Sequence, residues 1–238
     1  MSVLRKNRNL FVCDLFAILI GSALFALFFY RVRFGVGLLD ETLYASIACR
    51  FADGARPLID EWHITQLSDI FLVPPVLIFQ KLTGGTDGVL LFLRQFFVIM
   101  NTFMFFVLYG RLRRYGVWGL LATAAFGVYV PHAMFTLNYY SMTIHTLMLV
   151  MILLFINGRN QQEQSISIKA LLFAGVILSA AVVIQPILAF LYLFYTVAVF
   201  AGVLRKKRKP DAEPHFSFFP IFPDIRYQST IDDSSLFL

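Results

Sequence analysis

Charge is scarce in this sequence: only 14% of its 238 residues are Asp, Glu, Lys or Arg. A soluble domain carries about 25%, so the composition excludes an ordinary water-soluble globule and reads as an integral membrane protein. Cysteine is nearly absent as well. Cys13 lies near the start of the first long apolar run and Cys49 beyond its far end. The bilayer would separate them, which excludes a disulfide, and no metal-ligand spacing is present. The first apolar run is longer than a signal-peptide core and no small-x-small cleavage site closes it, so an uncleaved span is expected. No internal repeat is evident.

What fills the chain instead is apolar bulk, 59% hydrophobic with 27 Phe. The formal net charge of +6 is clustered at Arg5, Lys6 and Arg8, at Arg111, Arg113 and Arg114, and at 205–209. Basic clusters beside apolar runs are topology signals first and lipid-headgroup or nucleic-acid patches second. No nucleic-acid partner is expected.

A hydrocarbon core about 30 Å thick needs roughly 20 apolar helical residues. Residues 10–30, 89–110, 117–137, 139–156, 170–185 and 187–204 are the candidate spans. The expected class is therefore an all-α polytopic membrane protein with about six transmembrane helices. The last two spans share the Gln185-Pro186 break and form either a tight hairpin or one bent helix. Residues 70–82 are short for a span and contain Pro74 and Pro75. If they do not cross, basic groups of three, three, two and five residues, the third being Arg159 with Lys169, put 13 of the 20 Lys and Arg on one side. That side is then cytosolic, with both termini, and 70–82 is an interfacial or re-entrant helix on the other face. Residues 1–209 form the transmembrane domain, with an outer loop over 31–88. Residues 210–238, rich in proline and without periodicity, read as a disordered cytosolic tail.

The outer loop holds seven of the 14 acids: Asp40, Glu41, Asp53, Asp60, Glu61, Asp69 and Asp87. Within it, 37–57 reads as a short amphipathic helix. Asp40 and Glu41 stand at its start, Leu43, Ile47 and Phe51 lie on one face, and Gly54 is a stop. Topology brings His63, Arg94, His132, the Asn138-Tyr139-Tyr140 turn and Gln185 toward the same face.

Asp40-Glu41-x-x-Tyr44, Gly54-x-x-Pro57, the proline-containing helix 70–82 and Gly84-Gly85 ahead of Arg94 resemble the N-terminal half of the GT-C glycosyltransferases. These include protein O-mannosyltransferases, lipid A aminoarabinose transferases and related bacterial membrane enzymes. The stretch 174–186, AGVILSAAVVIQP, is similar to a small-residue helix ending in proline in that superfamily. The resemblance spans roughly 10–204. It implies an acidic first outer loop that works with a sugar donor linked to polyprenyl phosphate, a lipid, glycan or protein acceptor, and a place in the bacterial inner membrane. Family members carry more spans, so a truncated, split or minimal relative is expected. In this reading Asp40 is the general base or a metal-binding carboxylate, with Glu41 beside it as the second catalytic candidate. Asp60 and Glu61 are secondary acids, and Arg94 holds the donor phosphate. A divalent cation is compatible with the acids, but the metal requirement is not fixed by the sequence.

Each assignment has a plainer counterpart. Acids in a first helical turn stabilise the dipole by about 0.3–1 kcal/mol without any chemistry. Asp60 and Glu61 can be a solvated loop, His63 beside Trp62 an ordinary polar residue, and Arg94 a snorkelling side chain. Asn101, His132, Asn138 and His145 are polar groups at membrane depth or near the interface. Such groups mark a cavity or join helices. Asp14 is expected to pair with a neighbouring base. The competing function is non-catalytic: a membrane subunit or transporter-like protein of envelope polysaccharide or lipid export, with the loop as a docking surface.

Overall fold

A computed structural model describes residues 2–35, 40–63, 66–156 and 168–208. Gly37, Arg159, Lys209 and the 210–238 tail lie outside the described residues. The described chain is helical, with no strand ladder among those residues. Its helices are α1 (Ser2–Arg31), α2 (Glu41–Ala52), α3 (Gln66–Asp69), α4 (Val73–Thr83), α5 (Val89–Leu112), α6 (Val117–Val128), α7 (Tyr139–Met151), α8 (Ile168–Ile184) and α9 (Ala189–Arg208). Two stretches, Leu10–Arg31 and Val89–Tyr115, are long and apolar enough to cross a membrane.

Those two helices, α1 and α5, run antiparallel and are clasped at both ends by charge. At one end Arg113 Nε donates to Asp14 Oδ1 (2.7 Å) and the Tyr109 hydroxyl donates to the same oxygen (2.8 Å). A base that Asp14 meets thus comes from α5. At the other end Arg94 Nη1 donates to the carbonyls of Val32 (2.9 Å) and Gly35 (2.5 Å), just past α1. Asp14 and Val32 are separated by about 27 Å of helix at 1.5 Å per residue. That is close to the roughly 30 Å hydrocarbon core of a bilayer.

Between the clasps the helices meet through small residues and aromatic rings. A Cβ on Gly119 of α6 would lie 2.2 Å from the Leu112 carbonyl oxygen. On Gly127 it would lie 2.7 Å from the Phe105 ring. The first obstacle is backbone and cannot rotate away. We predict that Gly119→Ala destabilises the protein by about 1–3 kcal/mol, measured by thermal unfolding in detergent; an unchanged midpoint would contradict the packing. Asn101 Nδ2 donates to the Gly127 carbonyl (3.2 Å), an interhelical polar bond of the kind expected between apolar helices.

The helix expected over 117–137 ends at Val128. Pro131 disfavours helical backbone in the residue before it, and Val130 is extended (φ −118, ψ 107). Residues 129–138 therefore form an irregular segment, rigidified by a capping box at the start of α7. Ser141 N donates to Asn138 Oδ1 (2.9 Å) and Asn138 N donates to Ser141 Oγ (3.0 Å). In 70–82 the two prolines sit in the first turn of α4, where the missing N–H is harmless, after a 3-10 turn over Ile70–Leu72. Leu72 and Val76 are fully buried against α2, while Ile78 and Leu82 on the other face are exposed. At Gln185-Pro186 the chain makes a hairpin: Tyr195 packs back on Gly175 and hydrogen-bonds the Leu171 carbonyl.

One apolar core joins the Arg94 end of the fold. Phe28 and Val32 of α1, Tyr44 and Ala48 of α2, Leu72, Val76, Phe97 of α5, Met134, Met142 of α7 and Ile184 of α8 all contribute. This core is the floor beneath the residues that follow.

Candidate functional site

Glu41 and Arg94 lie 53 positions apart in sequence and form a buried ion pair, with side chains 0% and 7% exposed. Arg94 Nε (3.0 Å) and Nη2 (2.7 Å) both reach Glu41 Oε2. The other carboxylate oxygen, Oε1, accepts the Phe135 N–H at 2.7 Å. One carboxylate thus ties together α2, α5 and the irregular segment before α7. All three nitrogens of Arg94 are committed to Glu41 or to the carbonyls past α1. A phosphate could displace them only by taking Arg94 away from the buried Glu41 carboxylate, which is costly. The geometry makes Glu41 and Arg94 positioning residues for what surrounds them.

Asp40 stands directly before Glu41 and is exposed. Its backbone is left-handed (φ 43, ψ −4), and its side chain makes no capping hydrogen bond to α2. Helix capping therefore does not account for this acid. A left-handed pair, His132 and Ala133 (φ 55 each), lies in the segment that Glu41 holds. Strained backbone of this kind costs on the order of 1–3 kcal/mol per residue and persists where surrounding contacts over-determine it.

Between the two strained points lies a run of rings. The His132 and Tyr140 centroids are 4.5 Å apart, Tyr140 and Tyr139 3.9 Å, and Tyr139 and Tyr44 6.3 Å. The Tyr139 phenol hydrogen-bonds Tyr140 and is within electrostatic reach of Asp40. Tyr44 is buried, Tyr139 and Tyr140 are half-buried, and His132 is exposed. Asp40 is thus linked electrostatically to Tyr139, and Tyr139 through Tyr140 to His132.

Asp60 and Glu61 do not join this run. Asp60 accepts from Arg56 N (2.7 Å) and Nε (3.2 Å), and these bonds hold its carboxyl below the usual range. Glu61 pairs with Arg50 Nη1 at 2.7 Å. Arg50 lies in the last turn of α2, ten residues and about 15 Å along the helix from Asp40. These acids staple the loop over 50–61. No group of three His, Cys, Asp or Glu side chains suited to a metal ion exists among the described residues.

Asp69 is a buried acid of another kind. It is fully enclosed, Ser68 Oγ donates to its Oδ1 at 3.3 Å, and its Oδ2 has no hydrogen-bond partner among the described residues. Burial above all, with the nearby charge of Glu61, pushes its pKa up to about 8, against the smaller lowering effect of Ser68. The folded state therefore binds a proton that the unfolded chain releases near pH 4. Stability is full below that point and falls as pH rises to about 8. The loss is on the order of a few kcal/mol. Asp69→Asn is expected to flatten that slope in unfolding curves taken across the window; an equal slope in both proteins would contradict it.

Two neighbours of the site, Phe135 and Arg31, carry no motif. The Arg31 guanidinium carbon lies 5.9 Å from the centre of the Phe135 ring. The sequence signal for Arg31 is its sign: a cation at the end of a span opposite the basic clusters.

No protein-family model, curated protein or solved structure matches the chain. Fold and site thus define a class by geometry alone: a helical protein with two helices apolar and long enough to span a membrane, and a strained acid with aromatic neighbours at one end.

Proposed function

We propose that the chain is a membrane glycosyltransferase of GT-C type, moving a sugar from a polyprenyl-phosphate donor on the outer face of a bacterial inner membrane. α1, α5, the 117–137 stretch that begins with α6, α7, α8 and α9 cross the bilayer, both termini are cytosolic, and α2 to α4 form a layer on the outer surface. The observation that carries the reading is Asp40, an exposed carboxylate in left-handed backbone whose side chain makes no capping bond, within electrostatic reach of Tyr139 in the run of rings Tyr139, Tyr140 and His132.

In this mechanism Asp40 accepts the proton of the acceptor hydroxyl as its oxygen bonds to the anomeric carbon. The bond from that carbon to the donor phosphate breaks, and the electron pair leaves with the polyprenyl phosphate. The rings offer flat faces to the sugar. The buried Glu41–Arg94 pair holds Asp40 in place.

The test is transfer of labelled sugar from polyprenyl-phosphate donors by the protein in nanodiscs. Asp40→Asn, which keeps shape and tolerates the same backbone, is expected to lose transfer while folding normally. Undiminished transfer in that variant would end the assignment. The docking alternative draws on Leu58, Ile59 and Trp62, which are 58%, 57% and 85% exposed on the loop. It predicts that Asp40→Asn is silent and that Trp62→Ala releases a partner.

A further inference from the structure

We propose that Arg31 and Arg33, at the turn closing α1, form the phosphate-binding edge of the site. This rests on the reading of the Asp40 surface as a transferase site and deepens it. With Arg94 sequestered, that site lacks the cation a phosphate leaving group needs. The other arginines of the Arg94 end are also committed: Arg50 to Glu61 and Arg56 to Asp60. Among the described residues neither Arg31 nor Arg33 meets a carboxylate, and residues 36–39 that follow contain no acid. Both are exposed.

Their guanidinium groups are held by rings. Arg31 lies over Phe135 and Arg33 over Phe29, the latter at 5.4 Å to the ring centre. Arg31 Nη1 also donates to the Phe34 carbonyl at 2.6 Å. A guanidinium held over a ring is oriented in advance and keeps N–H groups for phosphate contact. The turn itself is gripped from below, since Arg94 binds the carbonyls of Val32 and Gly35. The same buried pair therefore positions both parts: Glu41 follows Asp40 and binds Phe135 N–H, and the Phe135 ring carries Arg31. The base and Arg31 are thus joined through Glu41 and Phe135, with Arg33 two residues further along the same turn. Topology agrees. Two arginines at the outer end of a span run against positive-inside bias, and an anionic ligand gives them a reason to be there.

The ligand chemistry is a phosphate group, either the polyprenyl phosphate that leaves the donor as a monoester or a soluble phosphate. The experiment titrates the full-length protein in neutral detergent by calorimetry with farnesyl phosphate, farnesol and inorganic phosphate. Farnesyl phosphate is expected to bind, and the Arg31→Gln/Arg33→Gln double variant to lose about ten-fold or more in affinity, as for a lost charge-assisted fork. The Arg31→Lys/Arg33→Lys variant should fall between. Farnesol should bind weakly and equally to all three. Inorganic phosphate binding that is as tight and equally arginine-dependent would assign the same edge to a soluble phosphate. Unchanged farnesyl phosphate affinity in the double variant, its melting point being native, would overturn the proposal. So would equal competition by phosphatidylglycerol, which would make the pair a general headgroup contact. Asp40→Asn is expected to bind farnesyl phosphate normally. Arginine-dependent binding with transfer unaffected by Asp40→Asn would sink the transferase reading and leave the phosphate site standing.

Discussion

Replacing Arg94 by alanine is expected to remove about 3–5 kcal/mol of stability, the range for breaking a buried ion pair by deleting one partner. The cause is what remains. Glu41, 0% exposed, would keep the hydrogen bond from Phe135 N–H but lose its Arg94 counter-charge. The Val32 and Gly35 carbonyls would lose their donor together. Arg94→Lys should recover little, because one ammonium cannot reach Glu41 Oε2 twice and two carbonyls on the other side. Glu41→Gln/Arg94→Gln should lose less than Arg94→Ala, since neither charge is then stranded. Unfolding by denaturant in mixed micelles, with all three variants, measures this. An Arg94→Ala protein within about 1 kcal/mol of native would show that the pair is not buried as described. The Arg56–Asp60 contact is the useful contrast. It lies on the surface, where solvent screens such pairs, so breaking it should cost far less.

The loss would not be confined to stability. Phe135, the Arg31 turn and the start of α2 are bound through this pair, so a partly folded variant would misplace Asp40 and the arginines together. That coupling was invisible in the sequence. Glu41 and Arg94 were each legible as unusual, one an acid after a span and the other a cation at the head of one. Nothing in local pattern says that residues 53 positions apart meet. Apolar periodicity placed α1, α5, the α8–α9 hairpin break and the helix within 70–82, because those follow from chain-local hydrophobicity and proline chemistry. It failed at 117–137. There an apolar run continues through Pro131, and hydropathy does not register that the backbone before a proline is extended. The left-handed conformations of Asp40 and His132 were equally hidden. Glycine announces positive φ, whereas Asp and His adopt it only when tertiary contacts compel them. Asp60 and Glu61 were legible as acids, but their arginine partners, four and eleven positions upstream, were passed over.

Strain at Asp40 gives the last prediction. Glycine at this position adopts φ 43 without a Cβ clash, which for L-residues costs roughly 1–2 kcal/mol, less for Asp than for bulkier side chains. Against this, glycine adds about 0.5–1 kcal/mol of unfolded-state entropy. The two nearly cancel, with the balance toward the folded state. Asp40→Gly should therefore be at least as stable as the native protein. Its transfer rate, by contrast, should fall by roughly 10²–10⁴, the contribution of a positioned general base. The same holds for Asp40→Asn, which tolerates left-handed backbone and lacks the basic oxygen. Stability and activity measured on one preparation of each variant decide the matter. A structural acid would give the opposite result, with a lower melting point and transfer reduced only in proportion to the folded fraction. Glycine folding as well or better there, with transfer lost, would mean that the acid serves through its carboxylate and not through the fold.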